Sequence, residues 1–140
     1  MSESVAEYEV LPREECLRLL AEHEVGRLGF VVDDQAVVLP VNYLLDGEVV
    51  VVRTDLGAKL SNVPMRHVAL EIDDVSPGMQ EGWSVLVQGA GQDISTSIDP
   101  RSEHLRTLPL VPWAPGPKDH WLRILPTQIT GRRLRRAARA

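Results

Sequence analysis

The chain has 140 residues and a mass of 15.5 kDa, the size of one domain. A hydrophobic fraction of 44% beside 25% charged residues excludes a disordered chain, a collagen-like repeat and a disulfide scaffold. The net charge of −5 is uneven: the last ten residues, GRRLRRAARA, carry five arginines, so the rest holds −10, a body that repels nucleic acid.

No apolar run approaches the roughly 18 residues a membrane helix needs. The opening MSESVAEYEV is acidic and lacks the apolar core of a signal peptide, so a cytoplasmic protein is expected. Residues 1–131 are expected to form the domain and 132–140 a basic C-terminal tail. The sequence shows no nucleic-acid-binding motif and no basic patch interleaved with aromatics.

In chain order, PREECLRLLAEH (12–23) predicts a helix. Pro12 suits its first turn, Glu14 and Glu15 favour its positive end, and Cys16, Leu19 and Leu20 share one apolar face. A cysteine so placed is expected to be buried and structural. Leu28, Phe30 and Val32 then alternate with their neighbours, a first strand closed by Asp33-Asp34. AVVLPVNYLL (36–45) and EVVVVRT (48–54) predict two more strands, joined at Asp46-Gly47 by a hairpin with a type I′ signature. DLGAKLSNV (55–63) predicts a short helix with Asp55 as N-cap.

HVALEIDDV (67–75) alternates again, Ser76-Pro77-Gly78 turns the chain, and WSVLVQGAGQDI (83–94) predicts a long strand. Gly89 and Gly91 suggest a bulge or bend in it. Residues 99–110 are predicted helical, with Asp99 as N-cap and Pro100 in the first position. VPWAPGPKDH is a proline-rich loop, and WLRILPTQITGRRL is a sixth strand. Six antiparallel strands with short helices predict a mainly β fold, a six-stranded antiparallel barrel with flanking helices. VVVV and VVLPV are apolar on both faces, so both faces need cover, from a helix or from a second subunit.

The chemistry concentrates where a strand ending in Arg53-Thr54 runs through Asp55-Leu56-Gly57-Ala58 to Lys59-Leu60. Backbone amides at a helix start, a hydroxyl and two cations suit a phosphate. The alternative is Arg53 paired with Glu48 or Asp55, and Lys59 in water. The four histidines and one cysteine lack metal-ligand spacing, so no metal site is expected. No nucleophilic triad assembles around Ser84 or Ser95. Trp83, Trp113 and Trp121 are either core anchors or the walls of a planar-ligand site.

GRLGFV, VVLPVNY, DG, VVVRT, GAKL, VALEID, GWSVLVQG and LRILPTQITGR, in that order, resemble the pyridoxamine 5′-phosphate oxidase-like, FMN-binding split-barrel family. The likeness spans residues 12–134 and is strongest to the small bacterial flavin-binding branch. It implies a homodimer with a flavin at each end of the interface. By position, Val38, Leu39, Pro40, Val41 and Asn42 would lie along the flavin ring edge. Arg53, Thr54, Lys59 and Leu60 would form the phosphate segment, and Ser84 would sit near the ring. Trp113 and Arg123 would reach the flavin from the neighbouring subunit.

Two departures narrow the reading. The oxidases that act on vitamin B6 carry an Arg-x-His before the last strand, where this chain has Asp119 and Trp121. Nitroimidazole-reductase-like relatives often place a histidine where Ala58 stands. The resemblance therefore implies an FMN-dependent oxidoreductase acting on an unidentified small molecule, with catalytic residues unassigned. The alternatives are an F420-dependent reductase, since the arginine-rich composition is typical of GC-rich bacteria, some of which make F420, and a non-enzymatic flavin or haem carrier or sensor.

Overall fold

The computed structural model describes residues 4–54, 65–116 and 118–138. The helix expected at 55–63, with Asp55, Lys59 and Leu60, lies outside the described residues. Among the described residues no helix is long and apolar enough to cross a membrane.

Among the described residues, seven strands and two helices form in the order β1 (Ser4–Leu11), α1 (Arg13–Glu22), β2 (Val25–Val32), β3 (Gln35–Asp46), β4 (Val49–Thr54), β5 (Val68–Ser76), β6 (Glu81–Asp93), α2 (Pro100–Leu105) and β7 (His120–Ala138). All pairings among the described strands are antiparallel. The sheet order is β1-β7-β4-β3-β2-β5-β6, and β6 pairs again with β7, so six strands close a barrel and β1 extends it.

β1 is the element beyond the six expected. The acidic start pairs residue for residue with the arginine-rich end, from Ser4–Ala138 to Leu11–Gly131. Residues 132–138, expected as tail, thus continue β7. Opposite charges support the seam: Arg135 meets Glu9 at 2.8 Å, and Arg133 meets Glu15 of α1 at 3.5 Å. Exposed ion pairs of this kind contribute little individually, so the backbone ladder carries the pairing.

The local signals explain the turns. Asp33 and Asp34 both take positive φ, 51° and 61°, the pattern of a type I′ turn joining β2 to β3. The expected Asp46-Gly47 hairpin forms with Gly47-Glu48 as its loop. Gly47 alone has positive φ there, the pattern of type II′ rather than I′. The Asp99 carboxylate caps α2 by accepting from the Ser102 amide at 3.0 Å, but the helix ends at Leu105, short of 110.

The barrel interior holds Leu28, Phe30, Tyr43, Val50, Val52, Leu70, Ile72, Val85 and Ile124, and α1 adds Cys16, Leu19 and Leu20. Burial pushes the Cys16 thiol pKa up, which keeps it a packing residue rather than a nucleophile. The Tyr43 hydroxyl, fully buried, donates to the Leu20 carbonyl at 2.7 Å and ties β3 to the last turn of α1. β4 is covered on both faces, as its composition requires. Val50 and Val52 face the interior, while Val51 packs outside with Ile94, Leu105, Leu110 and Trp121. On β3, by contrast, Val38 is 66% exposed and Pro40 is exposed.

Candidate functional site

β3 and β4 pair only between Tyr43–Val52 and Asp46–Val49. Beyond that, β3 runs on with β2 while β4 pairs with β7, from Thr54–His120 to Val50–Ile124. The fork between them opens a cleft of about 210 Å³, lined by Leu39, Pro40, Val41, Asn42, Arg53 and Thr54. Its far wall is the loop before β7, through Pro112, Ala114 and Lys118. Six residues assigned by resemblance therefore meet in one place, separated by a dozen positions in sequence.

Two of the polar residues at the fork, Arg53 and Asn42, reach the loop. Arg53 donates from Nε to the Lys118 carbonyl at 2.8 Å and from Nη1 to the Leu110 carbonyl at 3.3 Å. Its guanidinium lies 5.2 Å from the Trp121 ring centroid, a cation–π contact. Asn42 accepts the Trp113 amide through Oδ1 at 2.8 Å. Lys118 donates from Nζ to the Pro115 carbonyl at 2.9 Å. The ion pair Arg53–Glu48 does not form: Glu48 pairs with Arg13 at 3.0 Å.

The lining contains two cations and no carboxylate among the described residues, with apolar walls from Leu39, Pro40, Val41 and Pro112. Two loop carbonyls take the Nε and one Nη1 hydrogen of Arg53, and the guanidinium's fork carries three further N–H bonds. That donor set suits a phosphate on a flat, mostly apolar molecule. The volume is below the roughly 300–1,000 Å³ of complete ligand pockets, so the described residues bound only part of such a site.

Of the other assigned residues, Val38, Ser84, Trp113 and Arg123 do not line the cleft. Val38 stands exposed on the outer face of β3. Ser84 sits on β6, opposite Asp73 of β5 and Arg132 of β7, in a separate trough. Trp113 is 69% exposed and borders a hollow with His23, Glu24, Arg27, Asp73 and Asp74. Arg123 projects from β7 and donates to Gln92 Oε1 at 2.7 Å. Lys59 and Leu60 lie outside the described residues. Sequence reasoning missed Pro112, Ala114 and Lys118. Their signal was the proline-rich loop itself, whose restricted backbone suits a fixed wall.

Trp121 occupies one position of the missing Arg-x-His and is a packed residue of the outer core, 9% exposed. Asp119, at the other position, is exposed. Among the described residues no group of three or more His, Cys, Asp or Glu side chains could hold a metal ion.

An uncharacterized protein of Mycobacterium tuberculosis is 35% identical over 139 residues, covering 94% of this chain and 89% of its own. A solved structure described as the FAD binding protein from Mycobacterium smegmatis is 36% identical, with a TM-score of 0.73 over 91% of this chain and 100% of that one. A candidate pyridoxamine 5′-phosphate oxidase from Corynebacterium glutamicum is 30% identical, with a TM-score of 0.77 over 91% and 98%. The family described as pyridoxamine 5′-phosphate oxidase matches residues 12–133. With its six-stranded barrel, forked between β3 and β4, the chain belongs to the pyridoxamine 5′-phosphate oxidase family and has its split-barrel fold.

Proposed function

We propose that the chain is a cytoplasmic, homodimeric oxidoreductase that uses FMN and acts on a small organic molecule. The observation carrying this reading is the β3–β4 cleft, cationic through Arg53 and Lys118 and apolar along Leu39–Val41. The family supports it, as does the likeness to a structure described as binding FAD. The flavin, when bound, supplies the hydride and electron chemistry. The chain's own task is to hold the phosphate, orient the ring along β3 and exclude water with the loop before β7.

Titration of the purified protein with FMN, FAD, riboflavin and F420 tests the cofactor. FMN is expected to bind with quenched fluorescence. Charge-assisted hydrogen bonds contribute roughly 1.5–3 kcal/mol each. Lys118→Ala, or Lys59→Ala in the segment named by resemblance, should therefore weaken FMN by about one to two decades. Riboflavin, without the phosphate, should barely respond. Preference for F420 moves the assignment to the deazaflavin reductases; binding without turnover of any reductant leaves a carrier. Failure to bind any of the four rejects the reading.

Support for the dimer comes from the outer face of β2 and β3, where Val25, Val31 and Val38 are exposed. β2 pairs with β3 along this face, placing Val31 beside Ala36 and Arg27 beside Pro40. Sedimentation at micromolar concentration should give twice the 15.5 kDa chain mass. A stable folded monomer contradicts it.

A further inference from the structure

A hollow larger than the cleft lies on the outer face of β5, β6, β7 and β1: a trough of about 900 Å³ with mostly apolar walls. Strand register arranges it in two rows. One row runs Asp73, Ser84, Arg132; the next runs Val75, Gly82, Leu134, Tyr8. Val75 and Tyr8 are each 61% exposed, so an apolar floor lies open beside a polar rail.

The rail is electrically polarised. At one end Glu71 and Asp73 share a single cation, Arg27, whose Nη1 donates to Glu71 Oε1 at 3.1 Å and to Asp73 Oδ2 at 2.9 Å. One guanidinium facing two carboxylates leaves that end negative when both are ionised. At the other end Arg132 lies 5.9 Å from the Tyr8 ring centroid, and the Nε of Arg136 is buried without a hydrogen-bond partner. Arg136 otherwise donates from Nη2 to Gln80, and Glu81 accepts its backbone amide. An orphaned buried donor is costly unless something supplies an acceptor. Asp73 and Arg132 are two strand spacings apart, roughly 10 Å, with Ser84 between them, while Glu71 and Arg136 lie farther out along β5 and β7.

We propose that this trough binds a flat, apolar molecule with an ammonium group at one end and a carboxylate at the other. The ammonium lies against Glu71 and Asp73, the carboxylate against Arg132 and Arg136, and the ring on Val75, Leu134 and Tyr8. This stands independently of the flavin in the β3–β4 cleft. Burial, then the neighbouring Asp73, raise the Glu71 pKa to about 7, against the opposing pull of Arg27. A proton on Glu71 and the ligand's ammonium therefore compete.

Binding of 4-(aminomethyl)benzoate to the full chain, followed by protein NMR, tests the proposal. 4-Methylbenzoate lacks the amine and 4-methylbenzylamine lacks the acid. The zwitterion is expected to bind at least tenfold tighter than either half. Its affinity should rise about tenfold from pH 6 to pH 8 as Glu71 ionises. Glu71→Gln should abolish that pH dependence and reduce the zwitterion to the level of 4-methylbenzoate. Arg132→Gln should reduce it to the level of the amine. Asp73→Asn serves as a second variant at the acidic end, and melting temperatures identify any variant that fails to fold. Equal binding of the three probes, a flat pH profile or no binding overturns the proposal. FMN titration of the same sample separates this outcome from the cofactor reading, since Glu71, Asp73 and Arg132 do not line the β3–β4 cleft.

Discussion

Gly89→Ala should lower the melting temperature by about 10 °C or more, the largest stability loss expected from a single methyl group in this chain. A Cβ at Gly89 would stand 2.1 Å from the Leu125 carbonyl oxygen and 2.9 Å from the Leu125 carbonyl carbon and the Pro126 Cα. All three are backbone atoms of the facing strand, so no side chain can swing aside. The clash falls where β6 and β7 shift register, between Gln88–Gln128 and Gly89–Pro126. Thr127 is the extra residue, and its hydroxyl donates to the Gln88 carbonyl at 3.2 Å. Overpacking typically costs about 1–3 kcal/mol; a backbone-to-backbone clash belongs at or above the top of that range. At roughly 3–4 °C per kcal/mol for a chain of this length, about 10 °C follows. Gly78→Ala is the control, because nothing lies within 4 Å of a Cβ there. Equal melting of the two variants by calorimetry contradicts the account.

Arg53→Ala should affect ligand binding more than any other single change in the cleft. It removes a cation from the proposed phosphate site and, at the same time, two hydrogen bonds that hold Lys118 and Leu110. FMN affinity should fall by at least about two decades, given roughly 1.5–3 kcal/mol for the phosphate contact and further loss from a loosened wall. Riboflavin should weaken as well, by a smaller factor, because the loop lines the ring site too. Arg53→Lys divides the two roles. It keeps the charge but lacks the planar fork that reaches two carbonyls. The lysine variant should retain most of the preference for FMN over riboflavin while losing affinity for both. Arg53→Ala weakening both flavins by the same factor would make Arg53 only a clasp for the loop.

The elements were legible in the sequence wherever the chain carried a local signal. Alternation of Leu28, Phe30 and Val32 reports a half-buried strand because side chains in a strand point to opposite faces. Cys16, Leu19 and Leu20 report a helix face for the analogous reason. The valines of β4 announced cover on both faces, although not that α2 and Trp121 would supply the outer part of it. Arg53 and Thr54 stood out as a cation and a hydroxyl at a strand end, whereas the Leu39–Asn42 run was singled out only through the family resemblance.

Pairing between distant segments was not legible. The acidic start and the arginine-rich end each read as a solvated terminus, because neither segment is apolar enough to demand burial. Only the closed sheet, with a free edge on β7 beyond Ile124, makes them partners across Glu9 and Arg135. Thr127 presents a similar case. One inserted residue reverses which side chains face inward: Leu122 and Ile124 before the bulge, Ile129 and Gly131 after it. The same reversal turns Arg132, Leu134 and Arg136 outward into the trough. Sequence by itself determined the periods, the turns and the cationic strand end, because those depend on neighbours three or four residues away. Tertiary structure alone decided the fork, the loop wall and the trough, because these are set by which strand edges remain unpaired after the barrel closes.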